Sequence, residues 1–227
     1  MIAAAVAIDL WLWGLDCDAA EAARLGQVLS AQERVRAGRF VQDRDRLRFI
    51  AGRARLRDIL AGIVGTTAAT VPLETGPDGK PFIQGGPVFN LSHASDLAAL
   101  VVAGDVSVWL GVDIEGARVI DPGLDAYAFA TEERAALRAL DPQDRDRAFF
   151  LGWTRKEAVV KATGQGLRAD LQSFSVTLDP AAPPRLIRMA GQRPEDWRLH
   201  DFCPRHDLAG AIACRTGGRE ISVTRRA

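Results

Sequence analysis

One acidic residue lies where the sequence pattern predicts an apolar side chain. In a helix through "WTRKEAVVKATGQGL", residues 153–167, an apolar stripe passes through Phe149, Phe150, Trp153 and Val160, and Glu157 falls inside it. Burying an ionised carboxylate without a partner is costly, or it neutralises the group. Glu157 is therefore the first candidate for a chemical role, and it needs a partner.

A pair of acids at the end of a predicted strand could supply that partner. In "VSVWLGVDIE" the alternation puts Val112 and Ile114 on one face and Gly111, Asp113 and Glu115 on the other. Two carboxylates roughly 7 Å apart repel each other, and a hard divalent cation relieves the repulsion. With Glu157 from a facing helix, three carboxylates would converge. Mg²⁺ often completes its coordination with substrate phosphates, so the pattern indicates a phosphate-containing substrate.

Ordinary structural interpretations stay open for each of these residues taken alone. An Asp-x-Glu at a strand end is common in a solvated turn. Glu157 could pair with Lys161 at i+4 or with Lys156, as surface helix residues often do. Glycines at 164 and 166 by themselves indicate only the end of a helix.

The elements that would position these acids follow one another in a regular order. An opening strand in "AVAIDLWLWGLD" precedes two helices, near 29–40 and 43–65, and Ser30 with Glu33 forms a capping box for the first. Three strands lead to "DIE", helices begin at Thr131 and at Asp141 with proline next, and further strands close the chain. The pattern predicts an α+β chain of two similar halves, 1–118 and 119–227, with a boundary near residues 116–121. No sequence repeat relates the halves.

Composition limits the classes of partner. The chain has 227 residues, 48% of them hydrophobic, and its 29 Lys and Arg balance 29 Asp and Glu. This predicts an ordered globular protein with no bulk field for nucleic acid, so any anion site must be local. Three cysteines without CxxC spacing indicate reduced thiols, and the apolar N-terminus is too short and lacks the basic residues of a signal peptide. We expect a cytoplasmic protein with no membrane span. It has no Walker-type P-loop.

Four segments in order carry a family resemblance. "GKP" at 79–81, "FNLSHAS" at 89–95, "GVDIE" at 111–115 and "WTRKEAVVKATGQGL" at 153–167 closely resemble the motifs of the 4′-phosphopantetheinyl transferases. The chain length resembles the monomeric, double-length Sfp type rather than the short trimeric type. The resemblance covers roughly residues 36–167. It implies two pseudo-symmetric α+β halves, a coenzyme A cleft between them, and a monomer.

The resemblance also implies a reaction. Such enzymes transfer the 4′-phosphopantetheine arm of coenzyme A to a serine of an apo acyl or peptidyl carrier protein and release adenosine 3′,5′-bisphosphate. Asp113, Glu115 and Glu157 match the Mg²⁺ ligands, and Lys161 matches a lysine that reaches the pyrophosphate. Glu157 and Lys161 are thus the expected catalytic residues. A non-catalytic module that binds a carrier protein or a nucleotide is the alternative from another class.

Other matched positions are expected to bind coenzyme A. Ser92 and His93 match residues near its phosphates, with His93 at the 3′-phosphate. The remaining expected contacts are basic residues on the long helix, a turn segment and a lysine beside Glu157: Arg48, Arg53, Lys80, Pro81 and Lys156. Arg53 is a weak match among these residues. Arg36 is also a weak match and is not one of the expected contacts. Glu33 departs from the family pattern, since some relatives carry a basic residue there. The carrier protein is not identified, although the arginine-rich stretch 34–57 is one candidate surface.

Overall fold

A computed structural model describes residues 4–76, 79–116, 118–121, 123–166 and 169–227. Leu167, at the end of the last motif, and Ala117, inside the predicted boundary, lie outside these ranges. The described chain contains both helices and strands in the predicted α+β class. No helix in the described ranges is long and apolar enough to cross a membrane.

The helices and strands follow the predicted order. The helices are α1 (Ala19–Leu25), α2 (Ala31–Ala37), α3 (Asp43–Val64), α4 (Leu124–Ala128), α5 (Thr131–Ala139) and α6 (Pro142–Thr163). The strands are β1 (Val6–Gly14), β2 (Glu74–Thr75), β3 (Pro81–Phe82), β4 (Val88–Ala94), β5 (Leu97–Ala103), β6 (Trp109–Gly116), β7 (Phe174–Val176), β8 (Leu186–Met189), β9 (Trp197–Arg205), β10 (Leu208–Arg215) and β11 (Ile221–Arg226). Sequence analysis missed the short elements α1, β2, β3 and β8.

The chain forms two compact units. The larger unit consists of the chain up to Leu12 together with Pro87–Ala94 and Ala99–Ala227. The smaller unit consists of Trp13–Gly86 and Ser95–Ala98. These units cut the chain differently from the predicted halves 1–118 and 119–227. The two-half division therefore stays a prediction, which the structural units do not reproduce.

The larger unit is built on two sheets and one long helix. One sheet has the order β11-β1-β5-β4, with β1 and β11 parallel, and the other is antiparallel with the order β6-β10-β9. Helix α6 packs on β6 and β10. Its apolar face joins Phe149, Val159 and Ala162 to a core with Ala211 and Ala213 of β10. A helix seated on β6 can bring its side chains to the acids of that strand.

The smaller unit is held by α3 and its arginines. Ser30 and Glu33 form the predicted capping box, with the Glu33 backbone N–H donating to Ser30 Oγ at 3.2 Å and the Ser30 N–H donating to Glu33 Oε2 at 2.8 Å. Glu33 also pairs with Arg57 at 2.7 Å and Arg53 at 3.6 Å. The acid that departs from the family pattern thus caps α2 and binds it to α3.

Candidate active site

Asp113 is a buried acid with one satisfied and one unsatisfied oxygen. It lies on β6 with 4% of its surface exposed. Its Oδ1 accepts hydrogen bonds from Lys161 Nζ at 2.6 Å and Ser92 Oγ at 2.9 Å. Its Oδ2 is buried and has no hydrogen-bond partner among the residues described. Burial raises the pKa of Asp113, although Lys161 and Ser92 favour the ionised form.

Ser92 and Asn90 join the two sheets beside this acid. The Ser92 hydroxyl accepts from the Ile114 backbone N–H at 3.4 Å and also receives Lys161 Nζ at 2.8 Å. Asn90 Oδ1 accepts from the Val112 N–H at 3.0 Å. These side chains take the place of a backbone partner for β6, so β4 fixes the position of the strand that carries Asp113.

Glu115 and Glu157 complete an acidic group around Asp113. Both are partly buried, and Trp153 Nε1 donates to Glu115 Oε1 at 3.3 Å. Burial raises the pKa of Glu115 and of Glu157, and the negative charge of Asp113 raises both further. Lys161 acts in the opposite direction on each. The three predicted acids are therefore close enough to influence one another.

A glycine lets α6 approach these acids. A Cβ atom on Gly111 would lie 2.0 Å from the Ala158 carbonyl oxygen and 2.6 Å from the Ala162 backbone nitrogen. Only a residue without a side chain allows this contact between β6 and α6. Because Asp113 and Glu115 share the face of Gly111, the contact places Glu157 and Lys161 beside them.

The three acids offer the carboxylate oxygens that a divalent cation prefers, but their spacing is not that of three ligands to one metal ion. Within the described ranges, no group of three His, Cys, Asp or Glu side chains has the spacing of a metal site. The expected convergence of three carboxylates is thus incomplete. The unpartnered Asp113 Oδ2, beside two carboxylates of raised pKa, is nevertheless an oxygen donor of the kind that Mg²⁺ prefers.

Comparison with known proteins gives matches over most of the chain. Residues 110–213 match the model of the 4′-phosphopantetheinyl transferase superfamily, and residues 16–105 match the N-terminal 4′-phosphopantetheinyl transferase model. The 4′-phosphopantetheinyl transferase HetI of Nostoc sp. is 34% identical over 214 residues, which cover 91% of this chain and 86% of the relative. The chain belongs to the 4′-phosphopantetheinyl transferase superfamily.

Other relatives have the same name. A 4′-phosphopantetheinyl transferase of Bacillus subtilis is 28% identical over 86% of this chain and 87% of its own length. The transferase Sfp of Bacillus subtilis strain 168 is 29% identical over 68% of this chain and 69% of its own. The chain is thus an enzyme of the transferase class, and its length fits the Sfp type. The two family models meet between residues 105 and 110, which is consistent with a protein of two halves.

The transferase places Lys156 away from the acids. Only 1% of its side chain is exposed, and its ammonium donates to Glu133 Oε2 and, at 2.9 Å, to the Phe174 carbonyl oxygen. It also lies over the Phe174 ring, 4.8 Å from the centroid. A coenzyme A contact was expected for Lys156, and this packing gives it no support. The lysine instead joins α6 to α5 and β7.

His93 follows Ser92 on β4 and has the opposite orientation. Ser92 is buried and His93 is exposed, as alternation along a strand requires. The imidazole is therefore accessible to a ligand from solution.

The smaller unit holds the other expected coenzyme A residues. Arg48 donates to Asp16 Oδ1 at 2.6 Å and to the Ser95 carbonyl oxygen at 2.7 Å, and the bond to Asp16 raises its pKa. Burial lowers the pKa of Arg53, which is 9% exposed and faces Glu33. Arg53 thus ties α3 to α2, and its coenzyme A contact stays a prediction.

The "GKP" segment forms a turn, as predicted. The Gly76 N–H donates to the Lys80 carbonyl oxygen at 2.9 Å, and Pro81 opens β3. The Lys80 side chain is partly buried. The sequence motif is thus placed in a short hairpin of β2 and β3.

Sequence reasoning missed several residues that organise the site. The sequence motifs give Asn90 and Arg155 no role of their own, and the sequence pattern indicates Glu133 only as part of a helix start. Each has a partner 22 to 46 residues away in the chain: Asn90 with Val112, Glu133 with Lys156, and Arg155 with Asp201. A buried charge inside a helix motif was the available signal for Arg155, and it was interpreted only for Glu157.

Proposed function

We propose that this protein transfers the 4′-phosphopantetheine arm of coenzyme A to a serine of an apo acyl or peptidyl carrier protein. The reaction would depend on Mg²⁺ and release adenosine 3′,5′-bisphosphate. The observation that carries the proposal is the buried Asp113, whose Oδ1 binds Lys161 and Ser92 while Oδ2 has no partner among the described residues. Family membership supplies the reaction class.

The three acids and Lys161 support a role in binding a cation and the phosphates of the substrate. Asp113, Glu115 and Glu157 would hold the Mg²⁺ ion, which neutralises negative charge on the pyrophosphate of coenzyme A when it is bound. Lys161 stabilises the charge that develops on the departing phosphate, since its ammonium already lies within 2.6 Å of an acidic oxygen of the site. Ser92 orients that ammonium through its hydroxyl.

Glu157 is the proposed general base. The serine hydroxyl gives its proton to a Glu157 carboxylate oxygen, directly or through one water, while the serine oxygen bonds to phosphorus and the bond to adenosine 3′,5′-bisphosphate breaks. In the metal-free protein, burial and the charge of Asp113 raise the pKa of Glu157. The proposal of a base rests on the position of Glu157 beside Asp113 and Glu115.

The remaining coenzyme A contacts are proposals of different strength. His93 is supported by its exposure, Lys80 and Pro81 by their matched motif, and Arg48 by its matched position on the long helix. Arg53 and Lys156 are weaker because both are buried against glutamates of their own units. A cytoplasmic location, a monomeric state and service to fatty acid, polyketide or nonribosomal peptide synthesis belong to the same proposal.

Intact-protein mass spectrometry tests the reaction. The protein is incubated with coenzyme A, Mg²⁺ and a panel of apo carrier proteins, and a mass gain equal to one phosphopantetheine arm is expected on at least one carrier. Matched reactions without coenzyme A, with excess chelator, or with a carrier whose acceptor serine is alanine should show none. Binding of carrier or nucleotide without any mass gain across the panel would favour the non-catalytic module instead.

A further inference from the structure

Arg155, next to the lysine of the helix motif, is the largest fully buried side chain of the described structure, with 1% of its surface exposed. Its guanidinium donates through Nε to Asp201 Oδ1 at 3.0 Å and through a second nitrogen to Asp201 Oδ2, and also bonds Thr177. This is a two-point pair between α6 and β9, the kind of contact that fixes direction as well as distance.

The partner of Arg155 lies in the same row of the sheet as Asp113. Ala211 of β10 pairs with Asp113 of β6 on one side and with Asp201 of β9 on the other. Residues in one row point to the same face of a sheet, and neighbouring strands are about 4.8 Å apart, so the two aspartates are roughly 10 Å apart. Between them lies only the small, fully buried side chain of Ala211.

Helix α6 supplies one cation to each end of this row. Lys161 binds Asp113 and Arg155 binds Asp201. The two cations are six residues apart, which corresponds to about 9 Å along a helix and is close to the separation of the aspartates. One helix therefore bridges both ends of the row, with Glu157 between its two cations in the sequence.

We propose that Arg155 and Asp201 are positioning residues for the active site, a role that rests on the proposed function. The Lys161–Asp113 and Trp153–Glu115 bonds both tie α6 to β6, at one end of the row. The Arg155–Asp201 contact ties the helix to β9, on the far side of Ala211, and so fixes the direction of the helix over the sheet. Arg155 and Asp201 thereby hold Glu157 and Lys161 beside Asp113 without touching the substrate.

Stability and positioning can be separated, because an ion pair such as that of the buried Arg155 with the 26% exposed Asp201 is not required for stability. Replacing both partners with apolar residues of similar volume is often neutral or stabilising, whereas removal of one partner leaves a buried charge unpaired. The informative variant is therefore the double substitution Arg155→Met with Asp201→Leu. Its matched control is Arg188→Gln with Glu132→Gln, an exposed arginine–glutamate pair that does not involve α6.

Three measurements are made on the full-length protein: thermal unfolding, kcat and KM for coenzyme A, and the indole ¹H–¹⁵N signal of Trp153. That tryptophan donates to Glu115 and reports the site face of α6 without any turnover. For the double variant we expect a Tm near that of the wild type and a KM within about threefold, but a kcat lower by about 10- to 100-fold, as misplacement of catalytic groups predicts. The Trp153 signal should shift. The control pair should change none of these.

Each outcome decides the proposal. A folded double variant with wild-type kcat, or a kcat that falls only in proportion to the folded fraction, overturns it. If the double variant does not fold, Arg155→Lys replaces it: this change keeps the charge and loses the two-point geometry, so a folded protein with normal kcat overturns the proposal equally. If the wild type modifies no carrier protein, the proposed function fails. If the Trp153 signal of the double variant does not shift from that of the wild type, the positioning role is refuted, whatever the result of the carrier assay.

Discussion

Glu157 is the proposed general base, and its ionised carboxylate does not stabilise the fold. Its pKa is raised by burial and by Asp113. A carboxyl group whose pKa is higher in the folded state stabilises the fold only below its unfolded pKa, and this contribution is lost as the pH rises through the folded value. Once the pH exceeds the raised pKa, the ionised Glu157 therefore gives no such stability in the metal-free protein, which is expected of a residue with a catalytic role.

Glu157→Gln should accordingly remove activity without harming the fold. We expect kcat to fall by at least about 100-fold, equivalent to about 2.7 kcal/mol of transition-state stabilisation. The metal-free Tm at neutral pH should stay equal or rise. Turnover assays and thermal unfolding at pH 7 measure both. Near-normal turnover in the variant would refute the base and ligand assignment, and Glu132→Gln, an exposed acid on α5, is the control.

His93 has an accessible imidazole in a matched motif, so it competes with Glu157 for the role of base. If His93 binds the 3′-phosphate, His93→Ala should mainly raise KM for coenzyme A and leave most of kcat. Dephospho-coenzyme A, which lacks that phosphate, should be nearly indifferent to the change. Steady-state kinetics with both substrates distinguish the roles: a collapse of kcat for both, at constant KM, would make His93 the base.

At the scale of elements, the site depends on how closely α6 lies on β6. Gly111 provides that closeness, since any side chain there would meet the helix backbone at Ala158 and Ala162. Backbone atoms cannot turn aside as the end of a flexible side chain can. Because Gly111 has no side chain, β6 with its acids and α6 with Glu157 and Lys161 can lie in direct backbone contact.

Gly111→Ala should therefore push α6 away from the acids. We expect a loss of about 1–3 kcal/mol in the free energy of unfolding, as overpacking causes, and a larger proportional loss of kcat. Gly104→Ala is the control, because no atom lies within 4 Å of the Cβ position there and its φ is not positive. Chemical denaturation and turnover assays measure the two effects. Equal behaviour of the two variants would contradict the spacer role.

At the scale of the whole molecule, charge repulsion among the acids should make ligands stabilise the fold together. In the metal-free protein the charge of Asp113 raises the pKa of Glu115 and of Glu157, and the charge of Glu115 raises the pKa of Glu157. A cation that relieves this repulsion binds only the folded state and so stabilises it by mass action. A phosphate group that shares the cation would couple the two binding events.

We therefore expect Mg²⁺ to raise Tm, and Mg²⁺ with coenzyme A to raise it by more than the sum of the separate shifts. Thermal unfolding with each ligand alone and with both measures the coupling. Asp113→Asn, which removes one acidic charge, should abolish the excess. Purely additive shifts in the wild type would argue against a cation shared by protein and substrate.

Much of the local structure could be predicted from neighbouring residues. The capping box of Ser30 and Glu33, the start of α6 at Pro142 and the common face of Gly111, Asp113 and Glu115 all follow from spacings of two to four residues. The motifs likewise indicated the family that the comparisons show. Local patterns succeed here because caps, helix periods and strand alternation are decided within one or two turns of chain.

Only the tertiary structure decided which charges face the site. Lys156 and Glu157 are adjacent in the sequence, yet Lys156 is buried against Glu133, 23 residues away, while Glu157 interacts with Asp113. Likewise, the pairing of Arg155 with Asp201 and the row through Asp113 and Ala211 depend on the register of three strands. Register and burial are set by packing between distant segments, so spacing along the chain determined the acids of this protein, and the fold determined their partners.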